Sequence, residues 1–342
     1  MSPAAKNAPF APVTEASDVI IGLNAVVVAV SDAEPRVLVV RPPALGNAGR
    51  ELPRRDALPS GPFRPTDHRT LEIGLRSWVE AQTRETLGYV EQLYTFGDRG
   101  RDPREVEGGA RYVSVGYLAL AREAMRLETD DAVWRDWYRF FPWEDWRGGE
   151  PDALSKRIRP ALAGWIDGAP ASAVKRERRQ RADMAFGHDL KTWNDELVLE
   201  RYELLYEAGL VAEALLDRGK SVGPVDAAAL PGEAMAHDHR RILATAIGRL
   251  RGKIKYRPVI FETMPSSFTL LQLQLAVEGM AGLKLHKQNF RRLIEGRGLV
   301  ERTGATASGA HGRPAALFRF RPEVRMERMT PVGKLPAQPR GA

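Results

Sequence analysis

Three stretches near the C-terminal end decide the reading of this chain: Ser267-Phe-Thr-Leu-Leu-Gln-Leu-Gln274, His286-Lys-Gln-Asn-Phe-Arg-Arg292 and Gly312-Arg-Pro-Ala-Ala-Leu-Phe-Arg-Phe320. Thr269 and Gln272 stand at the spacing of a capping box, in which each side chain satisfies the other's backbone N–H, so a helix is expected to open there. A second helix is expected from near His286 to just before Gly296, with Phe290, Leu293 and Ile294 as its buried stripe. His286, Lys287, Gln288, Asn289, Arg291 and Arg292 then fall mainly on its other faces. Strands at 299–302 and 317–320, around a Gly/Ala/Ser loop, complete a hairpin. Two short helices followed by a basic hairpin have the chemistry of a winged-helix DNA reader. Gln and Asn can pair with adenine edges and Arg or Lys with guanine edges, whereas Lys284, Arg291 and Arg292 suit phosphates. Gly312 and Pro314 shape a turn that presents His311 and Arg313 to a minor groove or backbone.

Moving toward the N-terminus, Asp238 is placed to cap a helix with Ile242, Ala246, Ile247, Leu250 and Ile254 on one side. A helix is expected over 194–216, and the basic run 174–181 reads as linker. Near the start, the β-branched runs 19–30 and 36–41 flank Ser-Asp-Ala-Glu-Pro, which predicts a hairpin. A helix is expected from about His68 to Leu87, with Leu71, Leu75, Trp78 and Val79 on one face and Gly88 as its stop. Strands follow at 91–96 and 112–121, then a helix at 152–166. This order predicts an α+β chain with a mixed sheet between helices, followed by a mainly helical winged-helix domain. The expected divisions are a disordered tail 1–17, a sheet domain 18–170, a basic linker and helical insert 171–237, a winged helix 238–328 and a disordered tail 329–342.

The chain has 342 residues, enough for two domains with separate cores. The absence of cysteine excludes disulfides, thiolate metal sites and cysteine nucleophiles. Met1 to Val13 lacks an apolar core bounded by a cleavage site, and the longest apolar run is too short to span a bilayer, so a cytoplasmic protein is expected. Charge is unevenly placed. Residues 1–170 hold 22 basic and 25 acidic groups, and residues 171–342 hold 29 and 19. A basic half joined to a near-neutral one points to a polyanion partner for the C-terminal part.

Longer segments carry a family resemblance. Tyr89-Val-Glu-Gln-Leu-Tyr-Thr-Phe-Gly-Asp98, then Arg101-Asp-Pro-Arg104 and Tyr112-Val-Ser-Val-Gly-Tyr-Leu-Ala119, resemble the Nudix-related transcriptional regulators of NAD metabolism. Arg249-Leu-Arg-Gly-Lys253, Phe268-Thr-Leu270, Asn289-Phe-Arg-Arg292 and Gly312-Arg-Pro-Ala315 resemble that family's C-terminal pattern. The resemblance covers about 20–165 and 238–322 and implies a Nudix-like α/β/α domain fused to a winged helix. It implies a nucleotide effector such as ADP-ribose, NAD or ATP, and a homodimeric repressor of NAD biosynthesis or salvage genes on a palindromic double-stranded operator.

An active Nudix box reads Gly-x5-Glu-x7-Arg-Glu-U-x-Glu-Glu-x-Gly-U, U being aliphatic, its glutamates sharing one helix face where they hold Mg²⁺ against a pyrophosphate. With Gly88 as the closing glycine, the three carboxylate positions are Gln82, Glu85 and Thr86, the arginine position is Ala81, and the segment from Gly61 is about six residues too long. One glutamate is a poor site for a hard cation, so no catalytic residue, metal site or required cofactor is expected. Glu72, Glu80 and Asp67 read as solvated residues. Guanidinium forks match phosphate oxygens, which makes Arg41, Arg76, Arg84, Arg101 and Arg111, with Glu85, the candidate effector-binding residues. Trp78 and Phe96 read as core, as do Trp134, Trp137, Trp143 and Trp146 (or as a dimer surface), and His188, His237 and His239 as structural. The rival expectation is a Mg²⁺-dependent hydrolase of ADP-ribose-like nucleoside diphosphate derivatives.

Overall fold

The computed structural model describes residues 19–41, 55–98, 110–122, 127, 131–220, 222, 230–256, 259–307 and 314–321. The tails at 1–17 and 329–342 lie outside these residues, as do the candidates Arg101, His311 and Arg313.

The expected hairpin is present. Strand β1 (Val19–Ser31) turns through Asp32 and Ala33, both at positive φ, into the antiparallel β2 (Glu34–Val40). Positive φ at both central residues matches the twist of the strands it joins. A short β3 (Ser60–Pro62) pairs with β1 and leads to helix α1 (Leu71–Thr83). Strands β4 (Tyr89–Phe96), β5 (Arg111–Leu120) and β6 (Ala132–Asp136) complete a mixed sheet of order β4-β5-β1-β2-β6, with β5 parallel to β1. The buried centre of β1 alternates. Leu23, Ala25 and Val27 face a cluster with Leu75 and Val79 of α1, while Val26 and Val28 face the opposite cluster. Two faces covered by helices make the centre of β1 a nearly continuous apolar run, interrupted by buried Asn24.

Helix α1 stops earlier than expected. Arg84 takes a left-handed conformation at φ 61° and its N–H closes on Glu80 O at 2.9 Å, so Gly88 is not the stop. Arg76 donates to the carbonyls of Leu87 and Gly88, holding the departing chain against the helix. After β6, buried Trp137, Phe140, Phe141 and Trp143 pass through two short 3-10 turns (Trp137–Arg139 and Pro142–Glu144), and a π-helical turn (Ala153–Ile158) runs on into α2 (Arg159–Asp167). The basic run expected as linker is instead part of helix α3 (Ser172–Phe186). Lys175 pairs with Asp167 and Arg181 with Glu207, and the end of the helix buries Ala182, Ala185 and Phe186. The single helix expected over 194–216 is two, α4 (Val198–Glu207) and α5 (Ala212–Asp217), separated at Gly209 with φ 72°.

Helix α6 (His239–Tyr256) buries Ile242, Ala246, Ile247 and Leu250 as its spacing predicted. It lies on the sheet face opposite α1. A β-carbon at Gly116 of β5 would crowd Ile242, so a glycine is what lets α6 approach. Helices α7 (Leu270–Ala281) and α8 (Lys287–Gly296) and the hairpin β7 (Val300–Ala307)–β8 (Ala315–Phe320) follow. One buried cluster runs from Val26 and Leu118 of the sheet through α6 to Leu273, Phe290, Ile294 and Phe318. The two halves therefore share a core instead of owning separate ones.

Candidate functional site

The capping box of the C-terminal helix pair forms as its sequence predicted. Thr269 Oγ1 accepts from Gln272 N at 3.1 Å and Gln272 Oε1 accepts from Thr269 N at 2.7 Å, the complete capping box of α7. Gly282, at φ 70°, ends that helix. The turn into α8 is held from inside. Buried Glu278 Oε1 accepts from Leu285 N at 2.9 Å and from Gln274 Nε2 at 2.8 Å, and Gln274 also donates to Leu285 O at 3.1 Å. Sequence reasoning missed Gln274 and Glu278 because a Gln and a Glu on a helix read as solvated. Their i, i+4 spacing was the available signal.

On α8, Phe290 and Ile294 are buried, but Leu293 is 48% exposed, a correction to the expected three-residue stripe. No element among the described residues covers Leu293 on α8. Lys284, His286, Lys287, Gln288, Asn289, Arg291 and Arg292 are all exposed, on one helix and the turn before it. Arg292 donates to Asn289 Oδ1 at 3.3 Å, which orients the amide. Phe268 and Phe318 exchange two backbone hydrogen bonds at 2.9 and 2.8 Å and fasten the hairpin to the start of α7. Arg297 and Arg302 add two exposed cations that the sequence reading did not select, whereas Arg319 is committed to Glu301 at 2.7 Å.

The N-terminal candidates do not converge. Arg76 is spent on Glu72 and on the carbonyls of Leu87 and Gly88. Arg84 is the exposed cap residue of α1, Glu85 follows it with its N–H on Thr83 Oγ1, and Arg111 donates to Gly97 O. The early end of α1 also changes the box register. With Arg76 as its arginine, the three carboxylate positions become Ser77, Glu80 and Ala81, and the closing position becomes Thr83. This removes most of the apparent excess length and again leaves one carboxylate. Gln82 ties α1 to β3 through Ser60 N and O, and Trp78 Nε1 donates to Pro62 O at 2.9 Å, so Trp78 packs rather than stacks on a base. His239 is structural, its Nδ1 accepting from Leu58 N at 3.0 Å.

Arg41 lines a cavity. This pocket of about 280 Å³ gathers Arg41, Arg55, Arg135 and Arg139 around Asp56 and Glu233. Asp56 bridges Arg41 at 3.3 Å and Arg135 at 3.0 Å. Burial pushes its carboxyl above the ordinary aspartate range, against the pull of Arg41. Arg139 holds Glu233 at 2.7 Å. No sequence window contains this set.

The pocket and helix α7 lie at the two ends of β2. At the far end the Ala33 carbonyl touches α7 so closely that a β-carbon on Gly279 would overlap it, and Tyr138 OH donates to Gly279 O at 2.7 Å. Beside this contact, Glu144 is buried between Arg201 and Arg251, both fully buried. Arg251 also donates to Met280 O at 3.1 Å. The carboxylate thus joins the segment after β6, the helical insert, α6 and α7.

Residues 260–320 match the family model of the NrtR DNA-binding winged helix domain. The chain is 40% identical over 86 residues to the ADPR responsive transcriptional repressor NtrR of Acinetobacter baylyi, a stretch that is 25% of this chain and 34% of the relative. It thus spans about a third of the length of that curated relative. Shewanella oneidensis NrtR complexed with a 27mer DNA has a similar fold, at TM-score 0.50 and 20% identity, over 90% of this chain and 95% of the other. A MutT/nudix family protein from Enterococcus faecalis aligns over 91% and 90% of the two chains at TM-score 0.49 and 15% identity.

Proposed function

From an NrtR-type winged helix seated on a Nudix-like sheet, we propose that this protein is a DNA-binding transcriptional regulator, a repressor of NAD biosynthesis or salvage genes, whose Nudix-like domain senses a nucleotide. The observation that carries the reading is the face of α8. Lys287, Gln288, Asn289, Arg291 and Arg292 stand exposed on a short helix anchored by Phe290 and Ile294, in the segment that matches the DNA-binding family. Amides and guanidiniums are the groups that read base edges, and the flanking cations neutralise phosphates.

The effector that the Acinetobacter relative's name supports is ADP-ribose, with NAD and ATP as the alternatives to be tested beside it. A homodimer on a palindromic operator follows from the need to place two readers about 34–36 Å apart, or a multiple of that. Regulation then requires that the effector bind one arrangement of readers better than the other. A complete swing from 1:99 to 99:1 takes about 5.5 kcal/mol of differential affinity. Loss of pyrophosphohydrolase chemistry is supported by Ser77, Glu80 and Ala81, one carboxylate where the reaction's Mg²⁺ needs several. No helix among the described residues is long and apolar enough to cross a membrane.

The test is a gel shift with the full chain on its own upstream region and on promoters of NAD-synthesis genes, with and without ADP-ribose, NAD and ATP. Selective retention of a promoter fragment, altered by one nucleotide, is expected. Equal affinity for promoter and random duplex at near-physiological salt overturns the reading. Turnover of ADP-ribose with Mg²⁺ that disappears in Glu80→Gln would instead establish a hydrolase.

A further inference from the structure

We propose that the pocket of Arg41, Arg55, Arg135 and Arg139 holds the diphosphate of the effector, and that Glu233 stands in for one phosphate until the effector displaces it. The proposal rests on the reading of this chain as a nucleotide sensor and assigns that sensor its ligand chemistry and its signal.

Four guanidiniums share one cavity of about 280 Å³ with two carboxylates, Asp56 and Glu233. Two positive charges remain in excess. Like charges held together repel, and a ligand bearing two negative charges relieves them. A diphosphate esterified at both ends carries two charges, and its oxygens match guanidinium forks. The volume lies at the lower edge of small-molecule sites, which suits the charged centre of such a nucleotide and leaves its base outside.

The two carboxylates are unequal. Asp56 is 11% exposed and fixed between Arg41 and Arg135. Glu233 is 52% exposed and meets an Arg139 that is 45% exposed, so water already screens the pair and the cost of breaking it is small. Glu233 is therefore the group that yields. It belongs to the segment leading into α6, and that segment is hydrogen-bonded to the pocket wall itself. Glu233 N donates to Arg139 O and Ala236 N to Asp56 O, each at 2.9 Å. Arg251 of the same α6 donates to Met280 O in the reader. An anion that draws Arg139 from Glu233 thus acts on the element that joins pocket to reader.

The test is titration calorimetry of the full chain with ADP-ribose, and with inorganic pyrophosphate as the bare charged centre, at constant ionic strength. Arg41→Gln and Arg139→Gln are expected to weaken ADP-ribose binding about tenfold or more, since each removes a charge-assisted contact. Glu233→Gln is expected to tighten it on the order of fivefold, the worth of the surface pair that no longer competes. Arg176→Gln, an equal loss of charge on the exposed side of α3, leaves it unchanged, and pyrophosphate competes with ADP-ribose. Binding within twofold of the parent in Arg41→Gln and Arg139→Gln places the ligand elsewhere and overturns the pocket, while nucleotide sensing stands. Weakening in the arginine variants with no gain in Glu233→Gln overturns the stand-in. No binding of ADP-ribose, NAD or ATP by the parent protein overturns the sensor reading itself. Thermal melting of each variant checks that it folds.

Discussion

Replacing Glu144 by glutamine should destabilise the whole molecule. The Glu144 carboxylate is 1% exposed and accepts from Arg201 Nε at 2.6 Å, Arg201 Nη2 at 2.9 Å and Arg251 Nη1 at 2.6 Å. Both arginines are fully buried, and their other N–H groups are satisfied by backbone carbonyls, including Ala185 O, Asn194 O, Asp195 O and Met280 O. Glutamine preserves the shape and the backbone contacts. It removes the shared negative charge and turns a donor toward a guanidinium. Removing one partner of a buried ion pair costs about 3–5 kcal/mol, because the remaining charge cannot be rehydrated. With 342 residues and an unfolding entropy of about 2.1 cal/mol/K per residue, the chain loses about 0.7 kcal/mol per kelvin near its midpoint. The expected fall in Tm is therefore about 4–7 °C, if sheet and reader unfold together as their continuous core requires. Scanning calorimetry measures it. Urea titration followed by tryptophan fluorescence supports it, because Trp193 lies 3.8 Å beneath the Arg201 guanidinium. A Tm within 1 °C of the parent, with an unchanged urea midpoint, would refute the claim that this carboxylate holds the four segments together.

Three further outcomes are expected. Asn289→Ala should reduce discrimination between operator and random duplex more than it reduces nonspecific affinity, whereas Arg291→Ala or Arg292→Ala should weaken both and lower the slope of log K against log salt by about 0.9 per lost phosphate contact. Fluorescence anisotropy over a salt series separates these, and unchanged operator binding in all three variants removes α8 as the reader. Gly279→Ala should cost about 1–3 kcal/mol in urea unfolding, since the new β-carbon meets the Ala33 carbonyl, backbone against backbone, and an unchanged midpoint would show that this contact yields. Burial pushes the Glu91 carboxyl up, but hydrogen bonds from Lys253 and Tyr89 outweigh it and hold the group below the ordinary glutamate range. Its folded pKa being the lower one, its stabilisation is full above the unfolded value and is lost as pH falls through the carboxylate range. Glu91→Gln should accordingly lower the urea midpoint at pH 7, and the gap to the parent should close on acidification. A gap independent of pH would contradict this.

What could be read without coordinates was local. The Asp32-Ala33 hairpin, the Thr269–Gln272 box and the Phe290–Ile294 side of α8 depend on neighbours within four residues, and backbone geometry imposes those spacings directly. The same locality explains the errors. Nothing near Arg84 announces that it ends α1, because the carbonyls drawn in by Arg76 belong to the following loop. Leu293 has the spacing of a core residue, yet no element among the described residues covers it. The run at 174–181 is basic enough for a linker, but Asp167 and Glu207 accept its charges and Phe186 anchors its end.

From its order of residues alone this protein owes its hairpin, its capping box and the basic, amide-rich face of α8. Only the folded chain decides that Arg41, Arg55, Arg135 and Arg139 meet around Asp56 and Glu233, that Glu144 lies between Arg201 and Arg251, and that Gly279 rests on Ala33. Such meetings are set by which apolar faces exclude water against one another, a property of the packed whole that leaves no periodic trace in the segments it brings together.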